Sequence, residues 1–213
     1  MAWKPDGLLL VARPTKVPEV LKAQGLPRVM IDRHHECPPG ISRVEIDNHA
    51  VGRRAAEYFL KQRFEHLAVV NSPHHPLHSV RRKEGFIRTL APHGVQPAVF
   101  QAEHTSGKRW VENPELNAWL KNLPKPVGIY CVQDMIAQRI QEQCRSLNLH
   151  IPSEISVLGT DNHPLLCEAF RPFLSSIPIP LEAAGFRAAE LLQELMDLHA
   201  TGQPLPVIQE KIG

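Results

Sequence analysis

Three features that would mark a functional class are missing from this sequence. The 24 Lys and Arg residues nearly balance the 22 Asp and Glu residues, so the net charge of +2 leaves no basic surplus for nucleic acid or an anionic membrane. No apolar run reaches membrane-spanning length, and the opening MAWK is not a charged leader before a long apolar core. We therefore expect a soluble protein that stays in the cytoplasm.

Cysteine is scarce and shows no metal-binding or redox spacing. The four cysteines, Cys37, Cys131, Cys144 and Cys167, include no CxxC pair. Cys131 and Cys144 lie inside apolar patterns, which favours buried thiols in a reducing compartment.

Catalytic and metal-binding motifs are also missing. The sequence has no GxSxG elbow, and its spacing suggests no Ser-His-Asp set. His74, His75 and His78 could bind a transition metal, but the prolines among them predict a solvated loop without a completing Cys or carboxylate. We expect no enzymatic activity, no metal and no cofactor.

What the chain does contain is a regular alternation of apolar strands and amphipathic helices. The strongest strands are predicted at residues 8–12, 28–31, 67–70, 127–132 and 155–159. Strands that alternate with helices at this spacing predict an α/β protein with parallel sheets flanked by helices. A break near Gly94 predicts two lobes, residues 1–94 and 95–213, with the chain returning toward the first lobe after about residue 174.

Polar pairs follow the predicted strands where each strand ends. They are Asp32-Arg33, Asp47-Asn48, Gln133-Asp134 and Asp161-Asn162, and Arg82 lies near a helix start after a fifth strand. In open α/β sheets ligands bind outside the carboxyl ends of the strands, and mixed donors and acceptors there suit sugar hydroxyls. The alternative for each pair is a helix cap or turn former, and Asp161 in particular could cap a helix that begins near Pro164.

Four segments resemble the effector domains of the galactose/lactose-repressor family. They are VEIDNHAVGRRAAEYFL (44–60), SVRRKEGF (79–86), YCVQDMIA (130–137) and residues 151–177 with IPSEISVLGTDN and LSSI. The segments WLKNLPKPVGIYCVQD and FLSSIPIPLEAAGFRAAELL are most similar to the sugar-binding half of xylose-operon regulators of the AraC type. The resemblance covers essentially the whole chain and implies the two-lobed fold of type I periplasmic sugar-binding proteins.

The resemblance also implies roles for individual residues. Arg82 matches the cleft arginine and Asp161 the cleft aspartate, which we expected to come from different lobes. Gln133 stands where many members carry a sugar-binding Asn, and its extra methylene lengthens the reach. The remaining expected contacts are Asp32, Arg33, Asp47, Asp134 and Asn162. For Asp47, capping of the following helix is an equally good interpretation.

The same resemblance implies that the first lobe lacks two strand–helix units at its N-terminus. The surface left uncovered predicts a homodimer. DNA would be bound only through a domain outside this chain.

We therefore predict a ligand-sensing domain of a bacterial transcriptional regulator, with a small sugar, favouring a pentose such as xylose, in the cleft between the lobes. The alternative is a periplasmic sugar-binding protein that feeds a transporter. An enzyme on the same frame is a third possibility, but the sequence suggests no nucleophile paired with a base.

Overall fold

The computed structural model describes residues 5–11, 25–32, 40–71, 77–101, 113–168 and 171–213. Strands and helices alternate along these ranges, which confirms the predicted α/β class. The elements are β1 (Leu8–Val11), β2 (Arg28–Asp32), β3 (Ser42–Ile46), α1 (Asn48–Lys61), β4 (His66–Asn71), α2 (Leu77–Leu90), β5 (Ala98–Gln101), α3 (Pro114–Asn122), β6 (Val127–Cys131), α4 (Asp134–Ser146), β7 (Ile155–Asp161), α5 (Pro164–Glu168), β8 (Ser175–Pro178), α6 (Leu181–Ala200) and β9 (Gln209–Ile212).

The chain forms two compact units, of which the smaller combines Met1–Asp47 with Pro180–Gly213. Its parallel sheet has the order β1-β2-β3-β9, and α6 packs against the first three of these strands. The apolar face of α6 is buried as its spacing of three and four residues predicts. The fully or nearly fully buried residues on that face are Ala184, Ala188, Leu191 and Leu195.

The larger unit is Asn48–Ile179, and its parallel sheet has the order β5-β4-β6-β7-β8. The five residues of β6 are all buried, as in a parallel strand covered on both faces. Phe59 of α1 and Phe86 of α2 lie edge to face with ring centroids 6.4 Å apart, and Phe86 stacks on Tyr130 of β6 at 4.9 Å. These rings form part of one continuous apolar core between the helices and the sheet.

The boundary between the units differs from the predicted division at Gly94. Gly94 lies inside the larger unit, between α2 and β5, and β5 pairs in parallel with β4. Strand β4 also pairs with β6 on its other side, so the sheet continues across the predicted break. The chain leaves the larger unit after Ile179, close to the return predicted near residue 174.

Helices α1 and α2 approach each other closely through two glycines. A Cβ atom built on Gly52 would lie 1.9 Å from the carbonyl oxygen of Arg82, and one on Gly85 would lie 2.2 Å from that of His49. Any other residue at either position would force the two backbones apart. This contact fixes the start of α1 against the first half of α2.

No helix in the part of the chain that the structure describes is long and apolar enough to cross a membrane.

Candidate functional site at the carboxyl edge of the larger sheet

The site lies where the strand order of the larger sheet changes direction. The chain moves from β4 out to the edge strand β5 and then back to β6 on the opposite side of β4. Helices on the two sides therefore diverge at the carboxyl ends of β4 and β6, which is where open α/β sheets bind ligands.

Arg82 of α2 is the central side chain at this edge. It is only 2% exposed and donates three hydrogen bonds. Nε donates to Asn48 Oδ1 at 2.9 Å, while Nη1 donates to the carbonyl of Val132 at 2.8 Å and to Asp161 Oδ1 at 3.0 Å. The other terminal nitrogen, Nη2, has no hydrogen-bond partner among the described residues.

The local sequence explains how Arg82 reaches this position. Gly85 lies one helical turn after Arg82 and allows α2 to meet the start of α1, where Asn48 is 5% exposed. Val132 directly follows β6, so its carbonyl is no longer used by a strand neighbour in the sheet ladder. A buried guanidinium is tolerated only when it is paired and hydrogen-bonded, and two neutral oxygens and one carboxylate accept hydrogen bonds from Nε and Nη1.

Asp161 ends β7 and is the one carboxylate that pairs with Arg82 among the described residues. Its side chain is 24% exposed, and its second oxygen, Oδ2, has no partner in the described part of the chain. Its carboxylate does not cap α5 there, so its contact with Arg82 replaces the capping interpretation. The φ angle of Asp161 is 111°, which lies outside the common left-handed region and has to be held by neighbouring contacts, whereas Asn162 at 52° lies inside the left-handed region that asparagine tolerates.

Asp134 opens α4 behind this turn and is completely buried. Its Oδ2 accepts the backbone N–H of His163 at 2.8 Å, and its Oδ1 accepts the hydroxyl of Ser176. Burial raises the pKa of this carboxyl above its usual range, and the hydrogen bonds from Ser176 and His163 act in the opposite direction. Ser176 Oγ also accepts the backbone N–H of Asn162 at 2.9 Å.

A second group of polar side chains lies at the ends of β4 and β6. Gln133 follows β6, and its side-chain Nε2 lies 3.2 Å from Nε2 of His78. His78 is buried in the first turn of α2, so it does not belong to the solvated loop that the sequence predicted. Asn71 Oδ1 at the end of β4 and Ser79 Oγ are buried without a partner in the described ranges. Such atoms are expected where a polar ligand completes the hydrogen bonding.

The cysteines of this unit are buried thiols, as predicted for Cys131 and Cys144. Both are free and inaccessible, and Cys167 is also free and buried. Burial raises the pKa of Cys144 to about 12 and that of Cys167 to about 11, and it raises the pKa of Cys131 as well. Cys37 lies outside the described residues.

The structure brings five of the predicted site residues together in the larger unit. They are Arg82, Gln133, Asp134, Asp161 and Asn162. Arg82 and Asp161 were expected from different lobes, but they belong to one unit and form an ion pair with each other. The pairing is direct because α2 and β7 flank the same carboxyl edge.

The remaining predicted residues lie elsewhere. Asp32 ends β2 and Asp47 follows β3 in the smaller unit, where the backbone N–H of Asp47 donates to Ile212 at 2.8 Å. Arg33 lies outside the described residues. Their contacts with a ligand stay predictions.

Four side chains of the edge were not among the predicted contacts: Asn48, Asn71, His78 and Ser79. Asn48 belongs to the polar pair Asp47-Asn48, of which only Asp47 is a predicted contact, and Asn71 carries the same signal because it ends β4. His78 and Ser79 give no such signal in the sequence. They reach the site because α2 begins at Leu77, so both lie in its first turn.

Comparisons with known proteins agree with this architecture. A family model described as a periplasmic binding protein-like domain matches residues 56–211. The xylose operon regulatory protein of Haemophilus influenzae is 24% identical over 200 residues, which cover 90% of this chain and 51% of that protein. The chain thus spans about half the length of the curated relatives it matches.

Solved structures show the same fold. The structure of a xylose-binding transcription activator superposes with a TM-score of 0.79 at 23% identity, over 99% of this chain and 56% of the other. A LacI family transcriptional regulator from Enterococcus faecium with bound ribose gives a TM-score of 0.76 at 20% identity, over 97% of this chain and 75% of the other.

Proposed function

This chain belongs to the periplasmic binding protein-like domain family, and we propose that it is the ligand-sensing part of a bacterial transcriptional regulator. Its effector is a small neutral sugar, and a pentose such as xylose is favoured. The ligand binds at the carboxyl edge of the larger sheet, against Arg82 and Asp161. The unit acts by binding and not by catalysis.

The observation that carries this proposal is the buried ion pair between Arg82 and Asp161. The two charges compensate each other, so the pair offers donors and acceptors without a net charge. Arg82 Nη2 is a free donor and Asp161 Oδ2 a free acceptor among the described residues. A sugar hydroxyl both donates and accepts, and a carboxylate beside an arginine provides the strong charge-assisted bonds that fix its orientation.

The unpaired side chains beside this pair favour a polyhydroxylated ligand over an apolar one. Asn71 Oδ1 and Ser79 Oγ are buried and unpaired in the described part of the chain, and Gln133 keeps its carbonyl oxygen for a further bond. Leaving such groups unsatisfied costs about 1–3 kcal/mol each, which a ligand hydroxyl would recover. An apolar ligand would leave them unsatisfied.

The names of the relatives support a pentose and a regulator. The curated relatives include xylose operon regulatory proteins and other HTH-type transcriptional regulators, and the structural neighbours include regulators described with xylose, ribose and cellobiose. They favour a cytoplasmic regulator, whose DNA partner would be bound outside this chain, over a transporter's periplasmic binding protein.

Self-association is the second part of the proposal. Met135, Leu165 and Phe173 of the larger unit are 53%, 75% and 53% exposed, and these are apolar side chains that a second copy of the chain could cover. Sedimentation of the purified chain tests this, and a monomer at micromolar concentration would contradict it.

Calorimetric titration tests the ligand. We would titrate the purified chain with D-xylose, D-ribose, D-xylose 5-phosphate and cellobiose. We expect saturable binding of a neutral pentose and a loss of about 2–5 kcal/mol of affinity in Asp161→Ala, because a charged partner is removed from a buried hydrogen-bond set.

Glu168→Gln provides the matched control, since Glu168 is an exposed carboxylate on α5. It should bind as the wild type does. Absence of binding for all four sugars, or equal affinity in Asp161→Ala and the wild type, would overturn the proposal.

A further inference from the structure

The turn at the end of β7 presents Asp161 to Arg82 in a conformation that its own sequence disfavours. Asp161 has a φ of 111°, outside the common left-handed helical region, and Asn162 follows with a φ of 52°. A residue other than glycine held in this way costs about 1–3 kcal/mol and persists only where the surroundings fix it. The contacts that hold this turn therefore decide where the Asp161 carboxylate points.

Two consecutive backbone N–H groups follow the strained residue, and both connect to the Asp134 carboxylate, one directly and the other through the hydroxyl of Ser176. The N–H of His163 donates directly to Asp134 Oδ2 at 2.8 Å. The N–H of Asn162 donates to Ser176 Oγ at 2.9 Å, and the Ser176 hydroxyl donates in turn to Asp134 Oδ1. The chain from Asn162 through Ser176 to Asp134 thus links the turn, β8 and the first residue of α4.

The strand itself is shaped to admit this carboxylate. A Cβ atom on Gly159 would lie 2.3 Å from Asp134 Oδ1 and 3.3 Å from the Cβ of Ala137. Gly159 therefore leaves the space into which Asp134 fits, two residues before Asp161. Ser176 is the register partner of Gly159 in β8, which places its hydroxyl beside the same space.

We infer that Asp134 is a positioning residue that acts through Ser176 to hold the Asp161–Asn162 turn, so that Asp161 faces Arg82 with one carboxylate oxygen left over. Asp134 itself does not touch the ligand, because it is fully buried and both of its oxygens already accept hydrogen bonds. Its predicted role as a ligand contact is replaced by this indirect one. The consequence for ligand affinity rests on the proposed function, but the consequence for the turn does not.

Ser176→Ala is the most selective test, since it breaks the link to Asn162 and leaves Asp134 in place. We expect the amide hydrogen of Asn162 to exchange about tenfold faster, because a factor of ten corresponds to about 1.4 kcal/mol, which is within the range for the loss of one hydrogen bond. Exchange is measured by NMR on the purified chain without any ligand. The affinity for D-xylose should fall by about tenfold, for the same reason, while the melting midpoint changes little.

Two variants control for general destabilisation. Ser175→Ala removes an exposed hydroxyl from the neighbouring position of β8 and should change neither exchange at Asn162 nor affinity. Ser176→Thr keeps a hydroxyl, so the exchange rate at Asn162 and the affinity for D-xylose should both stay close to those of the wild type. Asp134→Asn leaves one carbonyl oxygen where the carboxylate has two, so exchange should accelerate at His163 or at Asn162, whichever link loses its acceptor.

Either of two results would overturn the inference. Unchanged exchange at Asn162 and His163 in both Ser176→Ala and Asp134→Asn would mean that the turn is held by other contacts. A lowered melting midpoint with unchanged affinity and exchange would mean a merely structural role. If the wild type binds none of the sugars, the proposed function fails, and the exchange measurement still decides whether Asp134 holds the turn.

Discussion

Replacing Arg82 by methionine is the sharpest test of the edge, because the substitution removes a buried cation together with three hydrogen bonds. Asn48 Oδ1 and the Val132 carbonyl each lose the donor that reaches them at 2.9 and 2.8 Å. Both residues are 5% exposed or less, so each hydrogen bond lost there costs about 1–3 kcal/mol. The loss of the contact with Asp161 costs less unfolding free energy, because water can hydrate its partly exposed carboxylate again.

The sum is about 4 kcal/mol of unfolding free energy, in the range measured when one partner of a buried ion pair is removed. This is a large part of the 5–15 kcal/mol that stabilises an average domain, so urea should unfold Arg82→Met at a clearly lower concentration. Circular dichroism and Trp119 fluorescence both report this transition.

Arg88→Met is the matched control, because Arg88 is an exposed arginine on the same helix. We expect its unfolding free energy to stay within about 0.5 kcal/mol of the wild type. Asp161→Asn should be intermediate, since Nη1 of Arg82 keeps an oxygen acceptor but loses a charge partner. If Arg82→Met is no less stable than Arg88→Met, the three hydrogen bonds do not contribute as argued.

Two further predictions concern the packing and the thiols of the larger unit. Gly85→Ala should lower the unfolding free energy by about 3 kcal/mol, because its Cβ would lie 2.2 Å from the His49 carbonyl. The control Gly185→Ala on α6 meets nothing within 4 Å and should raise that free energy by about 0.5–1 kcal/mol. Urea titrations measure both, and equal effects would contradict the close approach of α1 and α2.

Stability should also fall as the pH rises above about 9, the ordinary pKa of a thiol. The unfolded chain releases the proton of Cys144 there, whereas the folded chain keeps it until about pH 12. The urea midpoint should fall less between pH 8 and pH 10 in Cys144→Ala than in the wild type. An equal fall in both proteins would contradict a contribution from the Cys144 thiol.

The sequence predicted the elements of the larger unit well because they are long, apolar and periodic. Strand β6 was expected at 127–132 and spans Val127–Cys131, since five consecutive buried positions leave no alternative face. Helix α2 was expected from about residue 80 but begins at Leu77, because the prolines before it suggested a longer loop. The apolar pair Val207-Ile208 predicts a last strand there, but the strand lies at Gln209–Ile212, where three consecutive polar residues give no apolar pattern.

The candidate site could be predicted as a set of strand ends but not as a set of contacts. Periodicity identifies where each strand stops, so it places Asp161 and Gln133 after strands and Arg82 near the start of a helix. It does not say which strands become neighbours: β4 pairs with β6, although two helices and strand β5 separate them in the chain. The assignment of Arg82 and Asp161 to different lobes failed for that reason, as strand order depends on long-range pairing.

The pairing of Arg82 with Asp161 changes what the two residues can do. If the two residues lay in opposite lobes, neither charge would compensate the other before a ligand binds. A pair within one unit is charge-compensated without a ligand. The ligand then has to add hydrogen bonds to an existing pair without separating it, since separation would leave the guanidinium of Arg82 buried and unpaired. Neutral sugars meet that condition. A phosphorylated sugar would compete with Asp161 for Arg82, so it should bind more weakly to the wild type than to Asp161→Asn.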